Sequence, residues 1–90
     1  MAIHELKSWP RFFAAIKAGR RKHELRRNDR DFKEGDILLL REWNNELQEF
    51  TGDVCNVRVT AITSRENPCA VSDQGLNPEF CILSVELVEA

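Results

Sequence analysis

Glycine and proline are scarce, four and three among 90 residues, which excludes a collagen-like or low-complexity chain. A hydrophobic share of 42%, with five Phe and two Trp, excludes intrinsic disorder as well. Long apolar runs are absent. The longest, Phe12 to Ile16 and Ile37 to Leu40, fall far short of the roughly 20 residues that a membrane-spanning helix needs. No basic-then-apolar leader opens the sequence, so neither secretion nor membrane insertion is expected. Cysteine is sparse too: Cys55, Cys69 and Cys81 show no C-x-x-C spacing, and only His4 and His23 are available to join them. No metal site and no cofactor are expected from that set. Cys55 and Cys81 sit in alternating apolar runs, where a thiol behaves as a small buried hydrophobe, and this fits a reducing, cytoplasmic setting. Ninety residues suffice for one hydrophobic core, so positions 1–90 read as a single domain.

The formal net charge of −2 conceals an asymmetry. Positions 7–33 hold ten Lys/Arg against Glu24, Asp29 and Asp31, whereas positions 34–90 hold three Arg against eleven acids. A basic segment on an acidic remainder points to an anionic partner if the cations also gather in space. The plainer alternative is a solvated charged face.

Periodicity gives a coarse architecture. His4 to Lys7 reads as a short strand, followed by a helix from Ser8 as N-cap, with Pro10 in its first turn, to about Ala18. Trp9, Phe12, Phe13 and Ile16 keep the three-and-four rhythm of a buried helical face, and Gly19 supplies the left-handed stop. Lys22 to Arg27 reads as a charged strand, with Lys22, Glu24 and Arg26 on one face and Arg21, His23, Leu25 and Arg27 on the other. Asn28 to Asp31 form a turn. Ile37 to Leu40 has no polar face and reads as a strand covered on both sides. From Phe50 the chain alternates, placing Cys55, Val57, Val59 and Ala61 inward. Positions 65–79, with two Pro and one Gly, form a long loop, and Phe80 to Val88 makes the last strand with Cys81, Leu83, Val85 and Leu87 inward. The expected fold is α+β and mainly β: a small curved sheet or β-barrel, with one main N-terminal helix between the first two strands.

The stretch Gly19-Arg20-Arg21-Lys22-His23-Glu24-Leu25-Arg26 is the most unusual in the chain, because a strand normally avoids consecutive charges. Glu24 between two cations either balances Lys22 and Arg26 in a surface salt bridge or accepts hydrogen bonds from a base edge while Arg26 holds a phosphate. The motif G-x-[K/R]-x-x-E-x-R, followed by the strand G-D-I-L, resembles the signature of ASCH domains in the PUA-like superfamily. It is most similar to short stand-alone bacterial and phage domains of unknown function, through HELKSWPRFFAAIKAGRRKHELRRNDRDFKEGDILLLREW, across about positions 4–63 and again at C-I-L-S-V. The resemblance implies a PUA-like barrel whose cleft lies beside the motif strand, in a superfamily tied to RNA and modified nucleobases. On that resemblance Glu24 and Arg26 are paired cleft residues, and Arg21 takes the place usually held by Lys.

Some relatives of that superfamily hydrolyse the acetyl amide of N4-acetylcytidine with a Lys and a Thr, and here those places are held by Arg21 and Glu24. A guanidinium is no proton acceptor and a carboxylate is no hydroxyl nucleophile, so that reaction is not carried over. A different acid/base pair, Lys22 with Glu24, is the remaining catalytic candidate. The leading expectation is a binding module for RNA, a nucleotide or a modified nucleobase, with Lys7, Arg21, Lys22, Glu24 and Arg26 as ligand contacts. Trp9 and Trp43 join them as stacking candidates, although core packing is the commoner use of each. The alternatives are a small amidohydrolase on acylated nucleosides and a phage or host protein-interaction domain working through its acidic half.

Overall fold

The computed structural model of the protein describes residues 1–69 and 74–88. Its elements run β1 (Ile3–Ser8), α1 (Pro10–Lys17), β2 (His23–Arg27), β3 (Ile37–Asn44), β4 (Glu49–Ser64) and β5 (Phe80–Leu87). They build one sheet of order β1-β3-β4-β5-β2, curled into a half-barrel, with α1 between the first two strands. β1 pairs parallel to β3, and the other three pairings are antiparallel. The mainly β architecture read from the sequence is therefore the one observed.

Alternation sets which side chains enter the core. Leu6, Leu38, Leu40, Val57, Val59 and Leu83 point inward from the strands and meet Phe13 and Ile16 of α1. Cys55 and Cys81 join them, and burial pushes both thiols above their usual pKa.

Five expectations need correction. Ser8 does not cap the helix: it ends β1, and extended Trp9 occupies the cap position without a side-chain cap bond. Pro10, whose ring presets the helical φ and whose missing N–H costs nothing there, opens the first turn instead. The helix buries Phe13 and Ile16 but leaves Trp9 and Phe12 exposed, because eight residues present only a narrow stripe. β3 is not covered on both sides, since Leu38 and Leu40 are buried while Ile37 and Leu39 are half-buried. In β4 a bulge between Val59 and Ala61 shifts the alternation, so Ala61 turns outward and Ile62 packs on the core. Leu87, the last residue of β5, is also exposed although it pairs with Val57. Of the loop expected at 65–79, positions 70–73 lie outside the described residues, and the rest is irregular or turn.

The left-handed stop does hold: Gly19 has φ of 77°, and its N–H donates to the Ile16 carbonyl. A second fixed point is Asp36, buried just before β3. Its carboxylate accepts the N–H of Ala2 at 3.0 Å, the N–H of Lys33 at 3.0 Å and the His4 Nε2 proton at 2.9 Å. Because an ionised carboxylate only accepts, Nε2 is the protonated ring nitrogen. The Ala2 N–H first, then His4, hold the Asp36 pKa down at about 2 against the opposing effect of burial. One buried carboxylate thus ties β1, the turn at 33–36 and β3 together.

Candidate functional site

β1 and β2 are the two edges of the sheet, so each presents a row of unpaired backbone groups. Curling brings those edges toward each other, and arginine side chains bridge the gap. Arg26, on β2, donates through Nη2 to the Lys7 carbonyl at 2.7 Å, and Arg30 donates through Nη1 to the Glu5 carbonyl at 3.0 Å. Residues two apart on a strand send their carbonyls to the same edge, which is why Glu5 and Lys7 serve together. This two-arginine clasp replaces the backbone ladder that would complete a closed barrel.

Arg26 has a second duty. Its Nε donates to Oε2 of Glu24 at 2.8 Å, while Arg21 Nε stands 4.0 Å from Oε1, beyond hydrogen-bond reach. The Glu24 side chain is 5% exposed and that of Arg26 is 23% exposed. Glu24 and Arg26 share the inward face of β2, as the period-two reading of the motif required, whereas His23, Leu25 and Arg27 point out.

Above this pair lies a hollow of about 170 Å³ lined by Lys7, Ser8, Trp9, Phe12, Glu24, Leu25 and Arg26. Ser8 is buried, and its Oγ has no hydrogen-bond partner. A buried polar atom left without a partner costs about 1–3 kcal/mol, so the unpaired hydroxyl of a residue that lines a hollow is a candidate for a ligand to satisfy. Trp9 is 55% exposed beside it. Phe12 is also on the wall, with the Arg21 guanidinium 4.6 Å over its ring.

Of the candidates read from the sequence, the fold brings Lys7, Trp9, Glu24 and Arg26 to one hollow and places Arg21 at its edge. Lys22 goes elsewhere: it lines a separate hollow with Arg21, Ile16, Val57, Val85 and Leu87, because it precedes β2 where the chain is still leaving the helix, and Arg21 thus stands between the two hollows. Trp43 stands on the outer face of β3, edge to face with Phe50 at 4.9 Å, with the Lys7 ammonium 3.9 Å over its ring. It belongs to a neighbouring surface rather than to the Glu24 hollow. Ser8 and Phe12, which line this hollow, were not among the sequence candidates, and neither were Arg30 and Arg41, which line a separate groove beyond Lys7 and Arg26. Ser8 reads most simply as a cap, and Arg41 reaches that groove only through its parallel register with Lys7. Among the described residues no three His, Cys, Asp or Glu side chains gather as a metal-ligand set, and no helix is long and apolar enough to cross a membrane.

Comparison with known proteins gives relatives but no activity. A family model described as a domain of unknown function (DUF3850) matches residues 3–85. An uncharacterized 12.9 kDa protein in the GpA 3′ region of Escherichia phage P2 is 36% identical over 61 residues, which is 68% of this chain. The match takes in 54% of the phage protein, so this chain spans about half the length of that relative. The crystal structure of hypothetical protein PH0355 aligns with a TM-score of 0.61 over 98% of this chain and 100% of the other. At 18% identity that likeness concerns the fold alone.

Proposed function

The chain belongs to the DUF3850 family, a domain of unknown function, and we propose, from the resemblance of its G-x-[K/R]-x-x-E-x-R motif and the make-up of the Glu24 hollow, that it is an ASCH-type, PUA-like module that binds RNA, a nucleotide or a modified nucleobase, with the base seated in that hollow. The observation that carries this reading is the pair of buried polar residues that line the hollow: Glu24, held in place by Arg26, and Ser8, whose hydroxyl lacks a partner. A carboxylate is acceptor-only and suits the amino or imino donors of a base edge, and a hydroxyl supplies either role. Trp9 offers the stacking face, a contact worth about 1–3 kcal/mol per base. The buried thiols of Cys55 and Cys81 fit a reducing, cytoplasmic setting.

Amide hydrolysis is the weaker reading, since Lys22 does not share the hollow with Glu24, and the groups against that carboxylate are guanidiniums, which accept no proton. A protein-docking role for the acidic half is the third reading, and three of that half's eleven acids, Asp53, Glu79 and Glu86, are already paired with Lys17, Arg27 and Arg58.

The test is fluorescence anisotropy with short single-stranded oligo(C), oligo(A) and oligo(U) RNA at low salt. The wild type should bind with an affinity that falls steeply with salt and should rank the bases. Glu24→Gln, which swaps two acceptors for one acceptor and one donor, should flatten or reorder that ranking by about tenfold. No binding of any strand at low salt, or an unchanged ranking in a folded Glu24→Gln protein, contradicts the proposal.

A further inference from the structure

Lys7 and Arg26 form a wall common to two hollows. On the far side of that wall lies a larger groove of about 390 Å³, lined by Glu5, Lys7, Arg26, Arg30, Arg41 and apolar side chains. We infer that this groove seats the phosphate next to the base, so that the ligand is a nucleotide or a single strand and not a free base or nucleoside. The inference rests on the base reading of the Glu24 hollow and narrows it to a ligand class.

Four cations face this groove and Glu5 is its one acid. Glu5 is already engaged, with Oε1 2.7 Å from Arg41 Nη1. Each cation is also held in place. Arg41 lies 3.8 Å over the Phe50 ring and Lys7 lies 3.9 Å over Trp43. Arg30 spends Nη1 on the Glu5 carbonyl, and Arg26 spends Nε and Nη2 on Glu24 and the Lys7 carbonyl. The remaining guanidinium donors stay available on side chains that have already given up their freedom, the arrangement in which Arg binds phosphate most effectively. A merely solvated charged face has no reason to gather four anchored cations at one concavity. The shared wall matches the chemistry of the ligand: the unit that joins base to phosphate is one sugar, and the residues that join the two hollows are Lys7 and Arg26. Arg41 enters from the acidic half of the sequence, so the basic surface is a product of folding and not only of the 7–33 segment.

Calorimetry with cytidine, its 5′-monophosphate and its 3′-monophosphate at low salt tests this. At least one phosphate form should bind roughly tenfold tighter than cytidine, and the gain should shrink as salt rises. Arg30→Gln combined with Arg41→Gln should reduce that gain to about threefold or less and leave cytidine binding unchanged, with retention of the fold checked by thermal melting. Equal binding of all three ligands, or a gain that survives the double substitution, overturns the phosphate seat while the base reading stands. Binding of the phosphate forms without any of cytidine, lost in the double variant, supports the groove and overturns the base reading. No binding of any ligand overturns both.

Discussion

Arg26→Ala is expected to destabilise the fold by about 2–4 kcal/mol and to lower the melting temperature by about 8 °C or more, at roughly 4–8 °C per kcal/mol for a domain of this size. The substitution strands the Glu24 carboxylate, 5% exposed, with Arg21 at 4.0 Å as its nearest cation. It also releases the Lys7 carbonyl on the open edge of β1. The cost of breaking a buried pair lies mainly in the charge left behind, so removing both partners is gentler than removing one. Glu24→Leu with Arg26→Met should therefore be more stable than Arg26→Ala alone. Arg26→Lys should not rescue it, because one ammonium cannot reach the carboxylate and the strand edge in the same two directions as a planar guanidinium. A loss under about 1 kcal/mol on chemical denaturation would show instead an ordinary surface ion pair and remove the clasp from the account.

Asp36→Ala should be comparably severe, about 2–4 kcal/mol, since it leaves the N–H groups of Ala2 and Lys33 and the His4 ring proton without their acceptor. The same carboxylate makes an acid limb in stability. Its pKa falls from 3.8 to about 2 on folding, so the unfolded chain binds the proton more readily than the folded one. The stabilisation is fully present above about pH 4 and drains away as pH drops through about 2. Urea midpoints measured across pH 2 to 5 should show this slope in the wild type and a shallower one in Asp36→Asn. Parallel slopes in the two proteins would assign the acid sensitivity to other groups.

Much of the fold was legible because the strands obey period two and the helix has its stop at Gly19. Where reading by residue type failed, a tertiary choice decided. Ser8 has the chemistry of a helix cap, but the extended entry through Trp9 and Pro10 leaves it as the buried end of β1. Ala61 breaks its alternation because of a bulge that nothing in its neighbours announces. At the site, Glu24 and Arg26 were visible as an oddity, since a charged strand needs a reason for its charges. Lys22 looked equivalent to them by spacing, yet it lies before β2 begins and faces another hollow. Arg41 was invisible, because its place beside Lys7 depends on a parallel register between strands some 30 residues apart in sequence. Trp9 and Phe12 looked like core by helical rhythm and are instead the rim, since a short helix buries only Phe13 and Ile16.

The most direct test of the central claim, that a base sits on Glu24 and Ser8 under Trp9, is a two-dimensional NMR titration of the labelled protein with a short single-stranded RNA. The account predicts shift changes concentrated at the amides of Ser8, Phe12, Leu25 and Arg26 and at the Trp9 indole, with the Lys22 and Leu87 hollow unmoved. Changes centred on Lys22, Glu86 and Leu87, or none at low salt, would contradict it.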